Sequence, residues 1–168
     1  MKLDWNDHDT DVDWQELSDL YRDAGMGDKP ARHLEGVFGA SRYRVLVRRD
    51  GRIVGAGRAV SDGADVAYLA DIAVHPDLQG LGVGGEIVER LLDAASGHAK
   101  VLLYANPGKE AFYGRYGFAP MRTAMALFED PASAAARGFI DSPQDGTSAE
   151  RRLRNDRSRR RRAARATT

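Results

Sequence analysis

The residues with the clearest chemical potential form one run, Asp71-Ile72-Ala73-Val74-His75-Pro76-Asp77-Leu78-Gln79-Gly80-Leu81-Gly82-Val83-Gly84-Gly85. An apolar strand-like stretch passes into a turn with four glycines in six residues, and the turn opens onto Ile87, Val88, Leu91 and Leu92 at helical spacing. Glycines let a backbone fold tightly and approach a ligand, while the first turn of a helix presents N–H groups that lack intrahelical acceptors. Together with the helix dipole these groups make an anion site suited to a pyrophosphate. The alternative is a turn kept glycine-rich for packing. No Lys-Ser/Thr follows the glycines, so this is not a Walker A loop. Gly80-Leu81-Gly82-Val83-Gly84-Gly85 does fit Gly-x-Gly-x-x-Gly. However, the strands before it read as antiparallel, and no acidic residue closes a second βαβ strand about 20 residues on, so a dinucleotide fold is not supported.

Gln79-Gly80-Leu81-Gly82-Val83-Gly84, preceded by Val74-His75-Pro76, resembles the Gln/Arg-x-x-Gly-x-Gly/Ala acetyl-CoA signature of the GNAT superfamily of N-acetyltransferases. A second segment, Asn106 followed by Ala111-Phe112-Tyr113-Gly114-Arg115-Tyr116-Gly117-Phe118, is similar to that family's Asn…Tyr-x-x-x-Gly-Phe segment. The resemblance spans residues 3–128 in element order. It implies acetyl-CoA as cosubstrate and no metal, with the backbone N–H groups of Gln79, Gly80, Leu81, Gly82, Val83 and Gly84 on the CoA pyrophosphate. It also implies that Ile72-Ala73-Val74 splays from the next strand, pairs with the pantetheine arm and offers one N–H to the thioester carbonyl, as an oxyanion donor would. Tyr113 matches the tyrosine that protonates the departing thiolate, and Asn106 matches a residue that contacts the cofactor arm. The competing reading of Tyr113 is a half-buried ring packed on Phe118; Tyr116 reads as core or pocket wall.

The general base is less sharply marked. Asp71, near the strand end, is the candidate, with bracing of the strand and turn as its alternative. Tyr68 lies where some members of the family carry a glutamate. His75 before Pro76 reads as a loop anchor, and His8, His33 and His98 lack supporting context. Cys is absent, which excludes a cysteine-linked acyl-enzyme and favours direct attack by the amine through a tetrahedral intermediate.

These residues need a scaffold. Trp14, Leu17, Leu20 and Tyr21 mark one helix face after an N-cap at Asp11 or Asp13, with Gly25 and Gly27 as stop signals. A second helix is predicted from Pro30 with Leu34, Val37 and Phe38 inward. Tyr43–Val47 alternates and meets Asp50-Gly51, a strong hairpin signal, and Ile53–Val60 returns. Val66–Val74 and Val101–Tyr104 are further strands, Lys109–Tyr116 a helix, and Met121–Phe128 alternates as a last strand. The expectation is an α/β (α+β) fold with a mixed, mainly antiparallel sheet of about six strands and about four helices. Its predicted core includes Val45, Val47, Val54, Ile72, Val74, Leu91, Leu102 and Phe118.

At 168 residues, 42% apolar and 30% charged, the chain suits one folded domain rather than wholesale disorder. No apolar run is long enough to span a bilayer, and the N-terminus has no apolar signal region, so no secretory signal and a cytoplasmic location are expected. The net charge of zero hides a division. Residues 1–149 carry 16 basic against 23 acidic side chains, while residues 150–168 carry 9 Arg against Glu150 and Asp156. The reading is therefore an acetyltransferase domain over 1–130, a linker over 131–149 with an Ala run able to form a brief helix, and an Arg-rich disordered tail over 150–168. The acidic body favours a cationic small-molecule amine as acceptor, in a monomer or homodimer. The alternatives are a lysine or N-terminal acetyltransferase, an acyl-CoA sensor, or a nucleic-acid-associated binder using the tail, whose arginines would give weak, salt-sensitive polyanion binding.

Overall fold

A computed structural model describes residues 2–8 and 11–141. Expectations about the tail, and about the linker beyond residue 141, lie outside the described residues. The chain divides into two compact units, Met1–Tyr104 and Ala105–Thr168.

The first unit is a five-stranded sheet in the order β1-β2-β3-β4-β5, with β1 Asp4–Asn6, β2 Tyr43–Arg49, β3 Arg52–Ser61, β4 Val66–Val74 and β5 Lys100–Leu102. Its first three pairings are antiparallel and β4–β5 is parallel. The mixed, mainly antiparallel sheet flanked by helices is as expected. The hairpin between β2 and β3 is set by Asp50 at φ 52° and Gly51 at φ 82°, the paired positive values of a two-residue turn whose twist suits the strands it joins.

Side-chain alternation then sorts the core onto two faces. On one, Leu46, Ile53, Ala56 and Ala73 meet Leu17, Leu20 and Tyr21 of α1 (Trp14–Asp23) and Leu34 and Phe38 of α2 (Ala31–Gly39). Asp13 caps α1, its carboxylate accepting from the N–H of Gln15 at 2.9 Å and of Glu16 at 3.1 Å. On the other face lies α3 (Val83–Ala94), which buries Ile87, Val88 and Leu91. A Cβ at Gly57 would lie 2.6 Å from Ile87 Cγ2, so this glycine lets α3 sit close against β3.

The second unit contains α4 (Glu110–Gly114) and α5 (Pro131–Ala136), the latter capped by Asp130 accepting from Ser133 N–H at 3.0 Å. Phe128 and Phe139 stack there at 6.2 Å. Three expectations need correction. Met121–Phe128 forms no strand: Met125 is 99% and Leu127 70% exposed, and alternation produces a strand only where a neighbouring edge supplies hydrogen bonds. Ile72, Leu102 and Phe118 are half-buried rather than core. A short strand, β1, forms within the acidic N-terminal stretch, where no strand was expected.

Candidate active site

Strand β4 carries the decisive irregularity. It pairs with β5 only over Val66–Tyr68 against Lys100–Leu102, then runs on to Val74. Against β3, Ala73 faces Ala56 while Ala70 faces Arg58. Asp71 and Ile72 therefore stand opposite the single residue Gly57, a bulge that bends β4 where its parallel neighbour has left it. Asp71 takes φ 55°, a left-handed value that Asp tolerates better than most residues.

Asp71 is tightly held. Its carboxylate accepts from Lys29 Nζ and, at 2.6 Å, from Arg58 Nε, and its main-chain carbonyl accepts from the Tyr21 hydroxyl at 2.6 Å. Burial pushes its carboxyl upward, but the hydrogen bonds and charges of Lys29 and then Arg58 outweigh it, leaving the pKa below the ordinary value. Burial, with the Tyr104 phenol and Asp71 nearby, raises Tyr68, whose ring lies 6.3 Å from that of Tyr104. His75 accepts from Asp77 N–H at 3.3 Å through Nδ1, the geometry of a loop anchor.

Past the bulge, His75 N–H donates to Val54 carbonyl at 2.9 Å. By the two-residue alternation of an antiparallel ladder, the polar groups of Val74 turn away from β3. The Val74 carbonyl indeed accepts from Gln79 Nε2 at 3.0 Å, which ties the glycine loop to the strand end. A single 3₁₀ turn, Pro76–Leu78, follows the strand, with Leu78 buried as its anchor. The loop then closes on Gly82, the N-cap of α3 at φ 87°, without any side-chain hydrogen bond to the helix end. A Cβ at Gly80 or at Gly82 would meet nothing within 4 Å. The loop glycines thus border open space, and the uncapped first turn of α3 offers N–H donors there, an arrangement that fits a pyrophosphate.

In the second unit, Asn106 opens the turn into α4, its carbonyl accepting from Lys109 N–H at 3.0 Å. Tyr113 is half-buried, with its ring 4.9 Å from Phe112 and 6.0 Å from Phe118. Burial raises its phenol above the ordinary tyrosine value. The structure therefore brings Asp71, Ile72, Ala73, Val74 and the Gln79–Gly84 loop together along one strand, turn and helix. Asn106 and Tyr113 share one turn and helix of the other unit.

The model of the acetyltransferase (GNAT) family matches residues 5–118. The chain belongs to that family. An uncharacterised ycf52-like N-acetyltransferase of Prochlorococcus marinus is 30% identical over 113 residues, 64% of this chain and 63% of that protein. The chloroplastic serotonin N-acetyltransferase 2 of rice is 41% identical over 71 residues, 41% of this chain and 36% of the rice protein. The chain thus spans less than two thirds of the length of these curated relatives. A probable acetyltransferase of Staphylococcus aureus superposes with a TM-score of 0.69 at 23% identity, over 76% of this chain and 98% of that one, a likeness of fold.

Tyr21, Lys29 and Arg58, which converge on the Asp71–Ile72 bulge of this GNAT protein, carry no signal in the sequence as site residues. Tyr21 reads there as one more apolar-face position of α1. Lys29 and Arg58 carry no local signal at all, because their meeting with Asp71 is made only by tertiary structure. Among the described residues no cluster of His, Asp or Glu could hold a metal ion, and no helix is long and apolar enough to cross a membrane.

Proposed function

We propose that this GNAT protein is an acetyl-CoA-dependent N-acetyltransferase acting on a primary amine of a small molecule. One observation carries the reading. The strand whose parallel pairing ends at Tyr68, just before its bulge, leads through one 3₁₀ turn and the glycine loop into an uncapped helix N-terminus bordered by open glycines. When bound, acetyl-CoA supplies the acetyl thioester that the amine attacks. The N–H groups of Gly80, Gly82, Val83 and Gly84 hold its pyrophosphate, those of Gln79 and Leu81 being donated within the loop to the carbonyls of Pro76 and Leu78, and the Gln79 side chain keeps the loop in register with the strand end. Ile72, Ala73 and Val74 line its arm, with the outward-facing N–H of Val74 free of β3, and the family resemblance assigns Asn106 to the same cofactor. The family resemblance gives Tyr113 the role of proton donor to the departing thiolate; a phenol is protonated at neutral pH in any case, and burial raises its pKa further.

Asp71, engaged by two cations and depressed in pKa, is a poor proton acceptor. Its role is the bracing one, and the amine reaches the site as free base or loses its proton to water. The rice relative's name points to an arylalkylamine as one acceptor class to try first. Thiol release from acetyl-CoA, screened over arylalkylamines, polyamines, amino sugars and peptides, tests the reading. Release with an amine supports it. CoA binding without release from any amine overturns it in favour of an acyl-CoA sensor.

A further inference from the structure

Ser18 and Ser41 are the two buried polar residues among the described core, and both belong to one network. The Ser18 hydroxyl donates to the Lys29 carbonyl at 2.6 Å, fixing the residue whose ammonium reaches Asp71. The Ser41 hydroxyl donates to the Val37 carbonyl at 2.6 Å and accepts from Arg58 Nη1 at 3.2 Å, fixing the guanidinium that holds the other carboxylate oxygen. Tyr21, fully buried on α1, completes the set on the Asp71 carbonyl. Lys29 Nζ also lies 4.9 Å from the centroid of the Tyr21 ring. Three elements that precede β4 in the chain thus clamp one residue of left-handed backbone. A fold needing only stability could fill this space with apolar side chains, which are often at least as stabilising as buried ion pairs.

We propose that Tyr21, Lys29 and Arg58 are positioning residues that fix the Asp71–Ile72 bulge, and so aim the backbone of Ile72–Val74 for acetyl transfer. This rests on the acetyltransferase reading. The clamp acts on both handles of Asp71: the two cations set the side chain, and the tyrosine sets the peptide plane leading into Ile72. Misplacement by about 1 Å at such a strand costs up to about a hundredfold in rate. The glycine loop is tied to the strand at Val74, beyond the bulge, and its pyrophosphate donors lie on the loop and the first turn of α3, so most of the CoA affinity is kept.

The test uses the full chain with Tyr21→Phe, which removes only the hydroxyl, and Arg58→Met and Arg58→Lys. Amide hydrogen exchange at Ile72 and Ala73, CoA affinity by calorimetry and CoA release with the best amine are measured side by side. The clamp predicts faster exchange at those two amides, CoA affinity within about twofold, and kcat reduced about tenfold or more in Tyr21→Phe and Arg58→Met, with partial recovery in Arg58→Lys. Unchanged exchange in Tyr21→Phe overturns it. A lowered melting temperature with kcat unchanged also overturns it, because the network is then structural only. Exchange needs no turnover, so if the wild type acetylates no amine the function fails while the amides still judge the clamp.

Discussion

The Tyr21 hydroxyl donates to the Asp71 main-chain carbonyl at 2.6 Å across fifty positions of sequence. That bond joins the first helix to the point where β4 bulges within its ladder to β3, so the α1 face does more than bury apolar area. The same residue's carboxylate lies between two cations, which has a measurable consequence in acid.

Asp71→Asn tests that consequence. The folded-state pKa of Asp71 lies below its unfolded value, so in the window between the two the unfolded chain binds more protons and stability rises with pH. The contribution is fully present above about pH 4 and is lost as pH falls through the folded value. Asparagine keeps the shape and tolerates positive φ but lacks the charge. The variant should be less stable at pH 7 by about 2 kcal/mol, the scale of hydrogen bonds to charged groups. Urea unfolding at several pH values should show wild type and variant converging below about pH 4. A gap that stays constant into acid assigns the effect to packing.

Gly57→Val addresses the other face of the sheet. The added Cβ would lie 2.6 Å from Ile87 Cγ2 and 3.2 Å from Leu91 Cδ1, both on the buried side of α3. Overpacking of this kind costs about 1–3 kcal/mol, read as a lower urea midpoint at unchanged m. Ile87→Ala in the same chain should recover part of the loss. If the double variant is no better than the sum of the two singles, helix and strand do not meet as described.

How much of this was legible follows from the range of each interaction. The Asp50-Gly51 hairpin, the Asp13 cap and the glycine turn ahead of α3 are determined by neighbours within a few residues, so their sequences announce them. The three antiparallel strands follow from alternation plus those turns. Met121–Phe128 alternates equally well yet forms no strand, because pairing depends on an edge supplied from elsewhere in the fold. Ile72 was expected in the core, but it sits in the bulge, where the ladder that would cover it is interrupted. Lys29 and Arg58 illustrate the limit. An isolated basic residue between helices, or on a strand, reads as surface until the fold brings it to Asp71.

Gly82→Val separates cofactor binding from folding. Valine at φ 87° carries a backbone cost of about 1–2 kcal/mol, but its Cβ would meet nothing within 4 Å. It would project into the space assigned to the pyrophosphate. CoA affinity should fall about a hundredfold, equivalent to about 3 kcal/mol, with the far-ultraviolet spectrum preserved. Gly51→Val is the control, since it has a comparable φ of 82°, open surroundings and a place in the β2–β3 hairpin. Equal loss of CoA binding in the two variants would show general destabilisation and displace the pyrophosphate from this loop.

Tyr113→Phe tests the proposed acid. A thiolate is a fair leaving group without help, thiols being far more acidic than alcohols (pKa about 8.5 for cysteine), so the gain from protonation sits near the low end for general acids. The expected loss in kcat is about a hundredfold, with CoA affinity unchanged because the ring and its contacts with Phe112 and Phe118 remain. The pH profile gives the sharper reading. An acid must be protonated to act, and burial raises the Tyr113 phenol above its ordinary value. Wild-type kcat should therefore show no Tyr113-dependent decline until above about pH 10, and that alkaline limb should be missing in Tyr113→Phe. If the variant instead loses stability and keeps its rate per folded molecule, Tyr113 is an aromatic packing residue on Phe118, and the proton comes from solvent.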